Sequence, residues 1–592
     1  MIILDFETSY TPRTAKGEAP HGLQSQTVPE YLHDTRTACL GAALMLNGVG
    51  RYVPPERLDI VLHKVADAVA NGTALSCHNA AFDLAVWARF YTSSYQAVRH
   101  TLRRYPQRLV DTEHLARWAS AQGKLPHTIG TSIAALGDWY GIAKGDTAAA
   151  VAAGGDALAD YALRDVEIAA RVLGSWREAW PDDENALSTL HVLLSTPGAE
   201  SLRVDVSRLV DTATETPQEA ALKKELRKDA VMVELLRRLD VLPEYKITKT
   251  GRQKLALSKT DAWAQRLLSH PDERVQKLTS MRLGAASNID RTRAQTLITA
   301  SGDGRRGVPM SLRYYAAHTG RSGGSGGLNP QNLPRGGVHR HALVAPAGHR
   351  LVVADASQIE VRVLAWLADD QATLEVFRRG GDPYKAFAVD LYGLADEAAV
   401  TTEQRRVAKS AVLGLGFGAG ALGFQAYCRT MGVEITLPEA ERVVRAYRTA
   451  RPAVPRFWRE IEAQARRNAQ LVLPSGRVMV YPEMTRDSFV RPKPFQAKAG
   501  ENTSKLWHGL LTENVVQATA RDVTLAAHAV EIGSRWPVVM LVHDEIVCCV
   551  PEADVEACLA EMLCVMRTAP SWAAGLPLDA EGAIANNYGE CK

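Results

Sequence analysis

Cysteine is scarce: there are eight in 592 residues, with no CxxC pair and no His/Cys cluster at zinc spacing. That excludes a structural zinc site and a disulfide framework, and it suits a reducing cytosol. Aromatic residues make up only 6%, which argues against a non-catalytic single-strand binder built on stacking platforms. Net charge is small, +3 from 69 basic and 66 acidic residues, so the total says nothing about a charged partner. A long apolar run is missing too. Ser410 to Cys428 carries no charge for nineteen residues, but five glycines interrupt it and Arg405, Arg406 and Lys409 precede it. That pattern predicts a buried helix and turn rather than a membrane span. The N-terminus MIILDFET lacks a basic start and a cleavable apolar segment, so no signal peptide is expected.

What is present is enough apolar sequence, 46%, for several cores and roughly three to five domains. Leu351 to Ala354 is a short apolar run that reads as a buried strand, with Asp355 directly after it. Ser357 and Gln358 then open a helix-like segment with Ile359, Val363 and Leu367 at four-residue spacing. Alone, Asp355 also fits a helix cap. Val538 to Val550 holds two strand-like runs interrupted only by His543, Asp544 and Glu545. This predicts a hairpin whose tip presents carboxylates. Two carboxylates brought together this way can hold a pair of Mg²⁺ ions about 3.5–4 Å apart, as in-line phosphoryl displacement requires.

The N-terminal part carries a second acidic set. Asp5 and Glu7 lie two apart on a predicted strand and share a face. His78-Asn79-Ala-Ala-Phe82-Asp83 opens a predicted helix with Asn79 and Asp83 one turn apart, and Tyr161 and Asp165 form another i, i+4 pair. Each pair has a plain reading as a cap or solvated face. Four carboxylates and a tyrosine on three segments also fit a two-metal hydrolytic site. From Lys223 to Lys254, ten Lys/Arg face five Asp/Glu, and Ala220 to Leu242 has apolar residues at helical spacing with Lys223, Lys224, Arg227 and Lys228 on other faces. Thr402-Glu-Gln-Arg405 starts a helix on which Arg405, Lys409, Leu413 and Phe417 recur every four residues.

Asp355-Ala-Ser-Gln-Ile-Glu360-Val-Arg362 resembles the first palm motif of family A DNA polymerases, the bacterial DNA polymerase I class. The run from Arg405 to Gly418 is similar to the second, the fingers helix, and His543-Asp544-Glu545 to the third. The N-terminal set resembles the three motifs of proofreading 3′→5′ exonucleases with a final tyrosine. The resemblance implies an α/β and α+β multidomain chain: an RNase H-like 3′→5′ exonuclease domain (1–185), a connector (186–203), then a right-hand polymerase with thumb (204–306), palm (307–368 and 497–592) and fingers (369–496). It implies two Mg²⁺ ions at each site, with Mn²⁺ as a substitute. Asp355 and Asp544 would ligate one pair, with His543 and Glu545 supporting the primer end and the metal site. Asp5, Glu7, Asp83 and Asp165 would ligate the other, with Tyr161 orienting the attacking water.

Arg405 and Lys409 would hold the nucleotide's triphosphate, Leu413 and Phe417 would cover its base and sugar, and Glu360 would sit under the sugar. Arg321, in His318-Thr-Gly320-Arg321-Ser322, and Gln331 and Asn332, in Asn329-Pro-Gln331-Asn332, would lie beside the primer-template junction. Gln517 fits the family's template contact, whereas Glu513 stands where bacterial enzymes usually have Asn. Leu413 also departs, since the family commonly has Phe or Tyr there. The expected partners are primer-template DNA and dNTPs, the expected state a monomer in the cytoplasm, that of a bacterial host if the compact phage-like layout reflects a phage source. The rival enzyme reading is an exonuclease whose polymerase half serves as a DNA-holding platform.

Overall fold

The structure is a computed structural model describing residues 1–9, 23, 26–196, 198–215, 217–248, 251–258, 261–285, 288–325, 329–481, 490–492 and 503–591. The N-terminal part is a five-stranded sheet built from β1 (Ile2–Thr8), β2 (Cys39–Leu46), β3 (Val49–Val53), β4 (Leu75–Cys77) and β5 (Leu109–Asp111), in the order β3-β2-β1-β4-β5. β2 runs antiparallel to β1 and β3, while β1, β4 and β5 are parallel. Alternation along β1 sends Ile2, Leu4 and Phe6 into one apolar cluster with Leu58, Leu62 and Trp87. Ile3 faces the other way and packs with Ala43 on Ala162, Val166 and Ala169. Those last three residues belong to a 22-residue helix, Gly155–Trp176.

Residues 186–203, expected as a connector, are mostly helix. The segment Asp182–Ser195 is buried from Glu184 to Leu194. Leu187, Leu190 and Leu194 enter the largest core, which continues into the C-terminal part, and Val192 and Leu193 enter the N-terminal cluster. Buried on all sides and feeding both clusters, this helix cements the two parts rather than tethering them.

The C-terminal part centres on a four-stranded antiparallel sheet of β6 (His349–Ala356), β7 (Val538–Val542), β8 (Glu545–Pro551) and β9 (Ala580–Ala585), in the order β7-β8-β6-β9. Cys548 and Cys549 point to opposite faces, into separate clusters, as adjacent strand residues must. The basic region expected as one helical run over Ala220 to Leu242 is broken. Helices Pro217–Leu226 and Asp229–Arg237 are separated at Arg227 and Lys228. The uncharged Ser410 to Cys428 stretch forms the end of one helix, Thr402–Leu415, a turn, and most of another, Ala421–Thr430. Among the described residues no helix is long and apolar enough to cross a membrane. The expected boundary at 496 lies outside the described residues.

Candidate active sites

The face of β1 that carries Ile3 also carries Asp5 and Glu7, and the helix Gly155–Trp176 laid across it brings Asp165. Carboxylate oxygens of Asp5, Glu7 and Asp165 lie within 4.8 Å of one another, the one such group among the described residues. Asp83 joins from the side. β4 stops pairing with β1 at Ile3, and further along the Phe6 amide donates to Asp83 Oδ1 at 3.0 Å. The other oxygen, Asp83 Oδ2, is buried without a hydrogen-bond partner, as is Asp165 Oδ1. Orphaned carboxylate oxygens beside further carboxylates are a donor set suited to hard divalent cations. Burial, reinforced by Asp83, Asp165 and Glu7, pushes Asp5 well above the carboxylate range. Burial and Asp165 push Glu7 up as well. Packed acids of this kind resist sharing charge until a cation arrives.

Two details depart from expectation. Asn79 is not within the helix that carries Asp83 but stands at the N-cap position of Ala80–Phe90, in a left-handed conformation at φ 60 and without a side-chain capping bond. Lys144, which no spacing signalled, has Nζ 2.7 Å from Asp165 Oδ2 and 5.1 Å from the centre of the Tyr161 ring. Burial works against its ammonium, but Asp165 and Tyr161 together outweigh burial and raise its pKa. The Tyr161 hydroxyl shares a 2.7 Å hydrogen bond with Thr147 Oγ1.

In the C-terminal sheet, Asp355 ends the apolar part of β6, directly opposite Glu545 on β8 and Glu581 on β9. Asp544 sits in the β7–β8 turn next to His543, whose φ is 58. The Asp544 carbonyl accepts from the Ala356 amide at 3.3 Å, so the two aspartates come from distant sequence to one end of the sheet. Glu545 is buried and accepts from the Tyr588 hydroxyl at 2.6 Å. Glu581, an exposed neighbour of Asp355, was not anticipated, because a single acid in a weak strand pattern carries no signal.

The helix Thr402–Leu415 begins with a capping box, Thr401 with Gln404. Arg405, Lys409 and Leu413 form its half-exposed stripe; Phe417 lies past the helix end, two residues beyond Leu415. Arg405 pairs with Asp382 at 2.7 Å. Arg405 and Lys409 both lie over the Tyr384 ring, at 5.4 and 5.9 Å from its centre. Arg321 pairs with Glu360. Nearby, Gln517 donates to Glu513 at 3.1 Å. Burial and the adjacent Glu360 raise the Glu513 pKa, against Arg321 and Gln517. Gln331 and Asn332 lie in a short turn capped by Asn329. A small space is lined by Arg321, Gln331, Ile359, Arg521, His543 and Asp544.

The profile of DNA polymerase family A matches residues 229–590, and the chain belongs to that family. It is 34% identical over 281 residues to a DNA polymerase of Bacillus phage SP02, a match covering 42% of each protein. It is 33% identical over 297 residues to DNA polymerase I of Pseudomonas aeruginosa, covering 48% of this chain and 30% of that one. The match thus spans less than half the length of these curated relatives. The fold is similar to that of the POL domain of Pol1 from M. smegmatis, solved in complex with DNA primer-template and dNTP, with a TM-score of 0.64, 19% identity and 93% of each chain covered.

Proposed function

We propose that the protein is a template-directed DNA polymerase that extends a primer 3′-hydroxyl with dNTPs, and that its N-terminal part is a 3′→5′ proofreading exonuclease. The observation that carries the first half is the convergence of Asp355 and Asp544 on one sheet end, in a family A chain whose Arg405 and Lys409 form a cationic stripe. In this reading the C-terminal sheet is the palm, the region around Thr402–Leu415 the fingers, and the basic helices before residue 306 the thumb. The β3-β2-β1-β4-β5 order with an antiparallel second strand, together with the Asp5, Glu7, Asp83 and Asp165 set, supports an RNase H-like nuclease.

Asp355 and Asp544 would hold one pair of Mg²⁺ ions, with Mn²⁺ as a substitute, and the N-terminal carboxylates the other. Bound there, the metal supplies an activated oxygen nucleophile and neutralises charge on the leaving group. Arg405 clamps terminal phosphate oxygens, which requires its release from Asp382. Lys409 neutralises the triphosphate and is a candidate proton donor to the departing pyrophosphate. Glu360 lies beneath the sugar, where a 2′-hydroxyl would meet it. Arg321 and Gln331 donate to minor-groove acceptors, which occur at similar positions in every correct pair. Tyr161 orients the water in the nuclease. The substrates are primer-template DNA and dNTPs, the working form is a monomer, and the setting is cytoplasmic replication of phage or phage-like DNA.

The alternative, an exonuclease with a DNA-holding platform, is disfavoured by the presence of Asp355, Lys409 and Asp544 together. Primer extension with Mg²⁺, comparing wild type with Asp544→Ala, decides. Nucleotide incorporation by wild type and none by the variant supports polymerisation. No incorporation by either leaves the platform reading.

A further inference from the structure

The loop that carries Arg321 is held from behind by buried groups. Arg521 Nε donates to the Gly320 carbonyl at 3.1 Å, and Arg477 Nη2 to the Thr319 carbonyl at 2.9 Å. Gly320 has φ 83, and a Cβ there would come within 2.8 Å of Arg477 Nη1, so glycine is required for the guanidinium to approach. Arg477 is fixed in turn by Asp522 at 2.9 Å and by the Tyr315 hydroxyl at 2.7 Å. Arg521 is fixed by Glu184, which takes two of its N–H groups, one of them at 2.8 Å. The Tyr314 hydroxyl also donates to Glu184. Burial alone would raise the Glu184 pKa, but the Arg521 guanidinium reverses that and holds it down to about 2. A buried ion pair offsets its desolvation only with good geometry and hydrogen bonding, and here every side-chain nitrogen of Arg521 and both carboxylate oxygens of Glu184 are hydrogen-bonded.

On the other side of Arg321 a second tether comes from the same helix. His191 Nδ1 lies 2.8 Å from the Leu187 carbonyl, so Nδ1 carries the ring proton. Nε2 is then an acceptor, and the Ser322 hydroxyl donates to it at 2.6 Å. Glu184 and His191 both belong to the buried helix Asp182–Ser195. Towards the N-terminal part, Ser188 of that helix bonds His114 at 2.8 Å, and the His114 ring stacks on Tyr314 with centres 4.8 Å apart.

We infer that Glu184 and His191 are positioning residues: from the helix joining the two parts of the chain, they set where Arg321 meets the primer end. Residues on both sides of Arg321 are pinned to one rigid element, so a minor-groove donor is presented in a fixed place before DNA arrives. Such preorganisation is what makes a polar contact sensitive to the geometry of a base pair. The inference rests on the reading of Arg321 as a minor-groove contact.

The test compares primers ending in guanine or in 3-deazaguanine, which replaces the N3 acceptor with C–H. Single-turnover extension is measured with the full chain carrying Asp5→Ala and Glu7→Ala, so that primer ends persist. In that background the deaza primer should be extended about tenfold more slowly, the effect of removing one polar interaction. Arg321→Ala should be slow on both primers, with a ratio near one. Ser322→Ala and Glu184→Gln should also bring the ratio towards one, and His191→Gln, which keeps an acceptor for Ser322, should retain it. Melting temperatures separate loss of folding from loss of positioning, and Ser322→Ala, which removes one oxygen, remains usable if Glu184→Gln unfolds. If Arg321→Ala keeps the full ratio, the reading of Arg321 falls. If Arg321→Ala loses it while folded Ser322→Ala or Glu184→Gln keeps it, the positioning role of the helix falls.

Discussion

The Arg321 guanidinium lies 2.6 Å from the Glu360 carboxylate, and each side chain is 33% exposed. One is proposed to face the primer end and the other the incoming sugar, so each substrate must find its contact already engaged. An exposed pair of this kind is worth little net energy, and it can exchange partners without a large penalty. Glu513 stands beside it as a second carboxylate near Arg321.

Glu360→Ala should therefore open space under the sugar without collapsing the cleft. The ratio of ribonucleotide to deoxyribonucleotide incorporation should rise by roughly tenfold or more, the scale of relieving one steric clash in a pocket. Steady-state incorporation of paired rNTP and dNTP substrates measures it. An unchanged ratio removes Glu360 from the sugar pocket.

The two acidic sites should fail independently. Asp544→Ala should reduce extension by orders of magnitude and leave single-strand degradation intact. Asp5→Ala with Glu7→Ala should do the reverse and leave mispaired primer ends in place. Gel assays of both activities on both variants check this. Degradation that survives the double substitution would assign the nuclease elsewhere.

The parts of these sites that were legible in the sequence are those where charge interrupts an apolar run. Asp355 after Leu351–Ala354, and His543-Asp544-Glu545 between two strands, stand out because only a functional or capping role tolerates acids there. Asp5 and Glu7 were legible from strand alternation. The helix Asp182–Ser195 was not. Its apolar residues serve two cores at once, so no one-sided periodicity remains, and its buried Glu184 and His191 look like surface residues. Glu184 meets its partner Arg521 across 337 residues of sequence, beyond the reach of any local pattern. Lys144 is similar, because a loop cation acquires meaning only when the chain brings it to Asp165. Phe417 shows the converse error: four-residue spacing continued past Leu415, where the helix ends.

Burial of His191 gives a prediction for acid stability. Burial holds its pKa down to about 3, from 6.5. Below about pH 6.5 the unfolded chain binds a proton that the folded chain does not. Stability therefore falls as pH drops from 6.5 towards 3, by up to about 1.4 kcal/mol per pH unit for this one group. His191→Gln removes that dependence. The melting temperature of the variant relative to wild type should rise as pH is lowered from 7 to 5. A difference that stays constant across this range would show that His191 titrates normally in the folded chain.

Leu413 carries the last prediction. It sits one turn beyond Lys409 on the half-exposed stripe of the helix Thr402–Leu415, where family A enzymes commonly have Phe or Tyr. The resemblance implies that this position lies near the sugar 3′ carbon, where a tyrosine hydroxyl favours acceptance of dideoxynucleotides. Leucine supplies apolar bulk and good helix propensity but no hydroxyl, so nothing compensates for a missing 3′-hydroxyl on the nucleotide. The protein should discriminate against dideoxynucleotides, and Leu413→Tyr should relax that discrimination by about tenfold to a hundredfold, the range for one hydrogen bond made at a desolvated site. The measurement is the ratio of dideoxynucleotide to deoxynucleotide incorporation in the Asp5→Ala, Glu7→Ala background, where editing cannot remove terminated ends. Since Leu413 is half-exposed, a tyrosine ring can extend towards solvent rather than into the helix packing, and normal incorporation should survive. If both substrates lose activity in parallel and the ratio holds, Leu413 acts only in packing and the sugar lies elsewhere.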